Sequence, residues 1–179
     1  KNNGSVWSWG ANGGGQLGDG TFRERNRPIQ VVNRNDSTGL LTDVIEIAMG
    51  TSYWLNQGGH NLALRKDGTV WSWGYNTDGQ IGDGDTLSRS SPVRVVDETD
   101  PTGYLTNVIA IAAGDWHSLG VKIDGTVWGW GGNSYGQLGD GTNASKLTAV
   151  QTQNARRPAW GQQASPCRGW SPIRRRLPK

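Results

Sequence analysis

One cysteine, one methionine and one phenylalanine are all that this 179-residue chain has of those three types. The lone cysteine, Cys167, excludes an intrachain disulfide, so the fold must hold by packing alone. No apolar run reaches the length of a membrane helix, so no membrane insertion is expected, and no signal-peptide pattern follows Lys1. Hydrophobic residues make up only 34% of the chain, a low share. Acid is missing from one region: residues 151–179 carry 7 Lys and Arg with no Asp or Glu, while residues 1–150 carry 11 basic and 15 acidic residues. The net charge of +3 therefore comes from the tail. It gives no reason to expect nucleic acid as a partner of the mildly acidic remainder.

Glycine and tryptophan, by contrast, are plentiful, at 28 and 10 residues. Glycine permits tight turns and tryptophan buries much area per residue, a pairing suited to many short strands. Both types recur in one motif. V-W-S-W-G followed by G-Q-L-G-D-G-T spans Val6–Thr21, and its counterparts span Val70–Asp85 and Val127–Thr142. In each copy the first Trp (Trp7, Trp71, Trp128) stands eight residues before the Gly of G-Q (Gly15, Gly79, Gly136). Periodicity on this scale marks a repeat architecture, with function to be sought on a repeated scaffold.

Four strand-like segments recur in order. They are Val44–Ala48 with Val108–Ala112; Asn61–Arg65 with Ser118–Lys122; the V-W-x-W segments; and Pro28–Val32 with Pro92–Val96. Alternation places Trp71 and Trp73 on one face, Leu62 and Leu64 opposite the small Ala63, and Ile45 with Ile47 opposite Val44. Both faces are thus largely apolar, as expected for a small sheet held between two neighbours. The fourth segment opens on Pro and carries Gln30 or Arg94, the mark of an outer edge. K-D-G-T at Lys66–Thr69 and I-D-G-T at Ile123–Thr126 are Asp-Gly hairpin signals. The expected fold is all-β, a partial β-propeller of four-stranded antiparallel blades; a stacked solenoid is the alternative.

V-I-A-I-A-A-G, H-S-L, D-G-T-V-W-G-W-G and N-x-x-G-Q-L-G-D-G, read in order through the third copy, resemble the repeat of the regulator of chromosome condensation family. The resemblance covers about residues 3–150 and implies blades of a seven-bladed type, of which about two and a half are present. The first copy lacks its opening strands. Between Gly50 and His60 the middle copy holds seven more residues than the third does between Gly114 and His117. Ten strands do not close a ring, so a fragment of a longer repeat protein, or self-association through open blade edges, is expected. Residues 151–179 fall outside the pattern and are expected to be disordered or the product of a reading-frame change. The linkers Thr38–Thr42 and Thr102–Thr106 resemble those of bacterial surface members of the family, which leans toward an extracellular or cell-surface location.

No catalytic arrangement is readable: no Ser/His/Asp, Cys/His or paired-carboxylate set stands out, so no enzyme and no cofactor are expected. His60 and His117 occupy matching positions in different blades, and a structural ring bonded to nearby backbone is the preferred reading over a metal or acid–base pair. The G-D-G loops lack the ligand spacing of a calcium site and lead into no helix for phosphate, so they read as turns. The W-x-W pairs follow the blade period and read as core, although a Trp-based light sensor exists in the family. Arg174–Arg176 reads as a solvated basic run.

What varies between copies at fixed stations is the set of loop tips. Tyr53 and Trp54, Asp115 and Trp116, Asn76, and Asn133 with Tyr135 are the candidate partner-binding residues, because aromatic tips on a rigid scaffold suit protein recognition. The expected function is a non-catalytic protein–protein interaction scaffold with a protein partner. The resemblance also admits guanine nucleotide exchange on a small GTPase, and the aromatic tips admit carbohydrate binding.

Overall fold

The computed structural model describes residues 4–34, 37–51 and 58–153. Among these residues lie ten β-strands and no helix: β1 (Trp7–Gly10), β2 (Arg25–Gln30), β3 (Val44–Met49), β4 (His60–Arg65), β5 (Val70–Gly74), β6 (Arg89–Arg94), β7 (Val108–Ala113), β8 (His117–Lys122), β9 (Val127–Gly131) and β10 (Lys146–Gln151). They form a two-stranded sheet, β1-β2, and two four-stranded antiparallel sheets, β3-β4-β5-β6 and β7-β8-β9-β10, in simple sequential order. The chain is therefore all-β, a half blade followed by two complete blades.

The tight β4–β5 and β8–β9 turns follow from Asp-Gly. Gly68 and Gly125 take φ of +77° and +82°, and Asp67 Oδ1 accepts from the Thr69 amide at 3.0 Å, as Asp124 Oδ1 does from Thr126 at 2.9 Å. The outer strands depart from expectation. They start at Arg25 and Arg89, three residues before Pro28 and Pro92, and end before the valine pairs. Proline has no N–H to lose on a free edge, and the β1–β2 and β5–β6 registers slip between Ser8 and Gly10 and between Ser72 and Gly74. Val31 and Val95 lie just past the strands and fill the interior.

A second departure concerns the innermost strands. The alternation expected for Ile45 and Ile47 is broken by a register shift between Val44 and Glu46, repeated between Val108 and Ala110. Hence Ile109 is 55% exposed while Ile111, two residues on, is 7% exposed.

The middle sheet uses both faces. Ala63, Trp71 and Trp73 pack with Val6, Val31 and Leu41 toward the half blade, while Leu62, Leu64 and Val70 pack with Ile111, Trp128 and Trp130 toward the third blade. Small Ala63 stands opposite Trp71, and Gly120 opposite Trp128, leaving room for the indole. The joint between blades is also hydrogen-bonded. Trp73 Nε1 and Asn61 Nδ2 both donate to the Gln16 carbonyl at 3.0 Å. One blade on, Trp130 Nε1 and Ser118 Oγ donate to the Gln80 carbonyl at 3.0 and 2.8 Å. The G-Q-x-G loop of one blade is thus the seat of the next blade's tryptophan. At the far end of the second joint, Lys122 Nζ meets the buried Asp97 at 2.9 Å and lies 4.1 Å from the Trp128 ring centre.

Candidate functional site: the blade-end rim

The loops leaving β1, β5 and β9 emerge at the same end as those before β4 and β8, since Gly74 pairs with His60 and Gly131 with His117. Three polar devices repeat in each of these loops. The first is an asparagine. Asn12, Asn76 and Asn133 are buried, and each Oδ1 accepts from the amide five residues on, at 2.9, 2.9 and 3.0 Å. Each Nδ2 donates to carbonyls nine and eleven residues on, at 2.9 to 3.1 Å.

The second is a glutamine: the side-chain oxygens of Gln16, Gln80 and Gln137 accept from the amides of Gly14, Asp78 and Tyr135, each at 2.9 Å. The third is the G-D-G aspartate. Asp19 Oδ2 accepts from Arg25 Nε at 2.7 Å, Asp83 Oδ2 from Arg89 Nε at 2.5 Å, and Asp140 Oδ2 lies 3.2 Å from Lys146 Nζ. Arg89 also pairs with Asp85. Against the cost of burial, the bonds from Thr142, Lys146 and Asn133 hold the Asp140 carboxyl down to about 2. These loops were expected to be turns; they are turns closed by an ion pair to the outer strand.

Asn76 and Asn133 were expected at the rim. The structure places both inside the loops with their polar atoms occupied, so neither is available to a partner. Asp115, Trp116 and Tyr135 do lie at the surface. Tyr135 is 94% exposed, its amide clamped by Gln137. Asp115 is exposed and accepts from Thr51 Oγ1 of the neighbouring blade at 2.9 Å. Trp116 is half-buried and meets Tyr75, also of the second blade, edge to face at 6.1 Å. Its carbonyl accepts from Gly132 N at 2.7 Å, and a Cβ at Gly132 would come within 3.1 Å of Trp116 Cβ. Tyr53 and Trp54 lie outside the described residues. The insertion that holds them starts and ends at stations matching the third blade, because Gly50 N donates to His60 O as Gly114 N does to His117 O, both at 2.9 Å.

Sequence reasoning passed over Thr51 and Asp78 as partners of that set. The signal for Asp78 was its place two residues before Gln80, where Gly14 and Tyr135 stand in the other copies. The rim from Thr51 to Tyr135 presents two aromatic side chains meeting across a blade joint, a third at the next tip, and the carboxylates of Asp78 and Asp115.

His60 and Ser118 lie 2.8 Å apart, as in a nucleophile–base pair, but across a blade joint and fully buried. Ser118 donates its one hydroxyl proton to Gln80, so His60 Nε2 must carry hydrogen and donate to Ser118. His60 Nδ1 is then a bare lone pair, buried without a partner among the described residues. Burial first, then the facing His117, pushes His60 down to about 4. The serine proton points away from the base, so this pair is a joint, and its partner is a side chain rather than the backbone group expected. Among the described residues no cluster of three or more His, Cys, Asp or Glu side chains gathers to hold a metal.

Comparison with known proteins gives a consistent result. The family model described as regulator of chromosome condensation (RCC1) repeat matches residues 3–55, 67–121 and 124–158, and a second model of the same description matches residues 108–137. The chain is 39% identical over 138 residues to the human probable E3 ubiquitin-protein ligase HERC6, a match covering 75% of this chain and 12% of that protein. It is 32% identical over 142 residues to the ultraviolet-B receptor UVR8 of Arabidopsis thaliana, covering 79% of this chain and 28% of that one. Among solved structures, human WBSCR16 superposes with a TM-score of 0.66 at 28% identity over 87% of this chain and 36% of that chain. Yeast RCC1 (Prp20), in a crystal structure with Kap60, gives 0.62 at 24% identity over 85% of this chain and 34% of that chain. The chain thus spans between about an eighth and about a third of the length of these proteins.

Proposed function

The chain belongs to the regulator of chromosome condensation (RCC1) repeat family, and from that premise we propose that it is a non-catalytic protein-interaction scaffold whose blade-end rim receives a partner. The observation that carries this reading is the Tyr75–Trp116 pair. Two aromatic side chains from different blades meet at the surface, beside Asp78 and Asp115; the loop of Tyr75 and Asp78 is fixed from within by Asn76 and Gln80, and that of Trp116 by backbone bonds. Rigid aromatic anchors lose little entropy on binding, and flanking carboxylates select a partner segment that carries Lys or Arg. Protein partners also appear among the solved relatives, since yeast RCC1 (Prp20) is seen bound to Kap60 and Prp20p is described with binding to Gsp1p and histones. Nucleotide exchange, the alternative weighed above, is not favoured by these similarities.

The test is quantitative affinity capture with the full chain and with Trp116→Ala, Tyr135→Ala and Trp54→Ala variants. Ile123→Ala, exposed in the β8–β9 turn at the other end, serves as the control. Loss of the same captured proteins in the Trp116 and Trp54 variants, with retention in the control, is the expected result. Partners indifferent to all three rim changes would overturn the site.

A further inference from the structure

The asparagine latch of the half blade has a neighbour that its two counterparts lack. Gly13 follows Asn12, whereas Thr77 follows Asn76 and Ser134 follows Asn133. Gly13 is not among the glycines that take positive φ, and a serine stands at its place in the third copy. The turn itself therefore does not require glycine at this position. What glycine changes is the reactivity of the residue before it. With no Cβ beside it, the Gly13 main-chain nitrogen is open to the Asn12 side-chain amide carbon, while a Thr or Ser side chain shields that nitrogen in the other two copies.

We propose that Asn12 is a latent deamidation site, protected while its loop is closed and exposed to attack when the loop opens. The reaction needs only water. The Gly13 nitrogen gives up its proton to solvent base and attacks Asn12 Cγ; the N–Cγ bond forms, the Cγ–Nδ2 bond breaks, and the departing nitrogen takes up a proton and leaves as ammonia. Water then opens the cyclic imide to aspartate or isoaspartate. In the closed loop the same amide is buried and held on both sides. Oδ1 accepts from Leu17 N at 2.9 Å, and Nδ2 donates to Thr21 O at 3.0 Å, Arg23 O at 2.9 Å and Asp19 Oδ1 at 3.3 Å. Ring closure swings Cγ onto the Gly13 nitrogen and draws the amide off these partners, so attack waits for local opening.

Refolding does not reverse the change. An aspartate at this position has no N–H for the Thr21 and Arg23 carbonyls, and it sets a second buried carboxylate against Asp19, which already pairs with Arg25 at 2.6 Å. Isoaspartate also lengthens the main chain, which spoils the reach to the Leu17 amide. Opening of this loop thus accumulates as a one-way chemical record, and in this copy of the latch alone.

The experiment incubates the full chain in mildly alkaline buffer, native and in guanidinium chloride, and follows each asparagine by peptide mapping with isoaspartate detection. Asn12 should convert at least about tenfold faster in denaturant than in native buffer, because a closed loop exposes it only in its open fraction. In denaturant it should keep pace with Asn3, which precedes Gly4, and run ahead of Asn76 and Asn133. Gly13→Ser should suppress conversion of Asn12 in denaturant and leave the unfolding midpoint of the fresh protein unchanged. Protein aged in denaturant and returned to native buffer should unfold at lower denaturant than fresh protein, whereas aged Gly13→Ser should not. Equal rates at Asn12 in native buffer and denaturant overturn the proposal. So does conversion of Asn12 no faster than Asn76 and Asn133 in denaturant, or an Asn12→Asp variant as stable as the parent. Asn12 lies outside the Tyr75–Trp116 rim, so each outcome leaves the rim reading to its own test.

Discussion

Asn76 shows how one side chain can act as a stretch of backbone. Its amide satisfies the Ile81 N–H and the carbonyls of Asp85 and Leu87, groups that the tight loop leaves without β partners. Asn76→Ala therefore strands the buried Ile81 N–H and two partly buried carbonyls, and urea denaturation should show a loss of about 2–3 kcal/mol. A loss under about 1 kcal/mol would mean that the loop closes without it. His60 gives the matching prediction in pH. Its folded form resists the proton that the unfolded chain takes up near 6.5, because burial holds it at about 4. Stability is then complete above about pH 6.5 and falls by ~3 kcal/mol as the pH drops toward 4. Denaturation midpoints of the protein and of His60→Gln, compared at about pH 7 and about pH 4.5, should show a flatter response in the variant; equal slopes would contradict the assignment. Carboxylates held low, such as Asp140, lose their contribution only between 3.8 and about 2, so the two windows separate. The sequence showed Asn at a fixed place in each copy, but an exposed recognition residue and a buried latch have the same letter. Only the spacing of five to the next amide, which a loop conformation turns into contact, tells them apart.

At the scale of strands and loops, the repeat was legible because alternation, Asp-Gly turns and Trp spacing all pointed to the same four-stranded unit. Two features escaped. The bulge after Val44 and Val108 reverses alternation without any residue that announces it, so Ile109 faces solvent where Ile111 faces the core. The outer strands continue through Pro28 and Pro92 because a free edge forgives a missing donor, while sequence rules read proline as a beginning. The G-Q-x-G loop supplies a prediction of its own. Gly82 and Gly84 both hold positive φ, +78° and +95°. A Cβ at Gly82 would come within 2.6 Å of Trp130, whereas one at Gly84 meets nothing within 4 Å. Both Ala substitutions carry the backbone cost of about 1 kcal/mol, and only Gly82→Ala adds displacement of the indole. Thermal unfolding should rank Gly82→Ala well below Gly84→Ala; the reverse order would mean that this loop is not the seat of the next blade.

For the molecule as a whole, the same sequence station has opposite fates along the chain. Trp73 and Trp130 are 2% and 0% exposed beneath the preceding blade, while Trp9 is 63% exposed. With Met49 and Ile47 also open, the half-blade end is an apolar surface of the kind that drives association. Light scattering of the 19.3 kDa chain should report species heavier than a monomer, and Trp9→Ser should shift the population toward monomer. The most direct test asks whether the W-x-W and G-Q-x-G stations are blade joints, leaving the loop tips for recognition. It is a side-by-side urea denaturation of Trp73→Ala and Trp9→Ala. Removing Trp73 should cost about 3–5 kcal/mol, the value for emptying a packed site, and removing Trp9 less than about 1 kcal/mol. Equal losses at the two positions would contradict the blade-joint assignment and, with it, the placing of recognition on the rim.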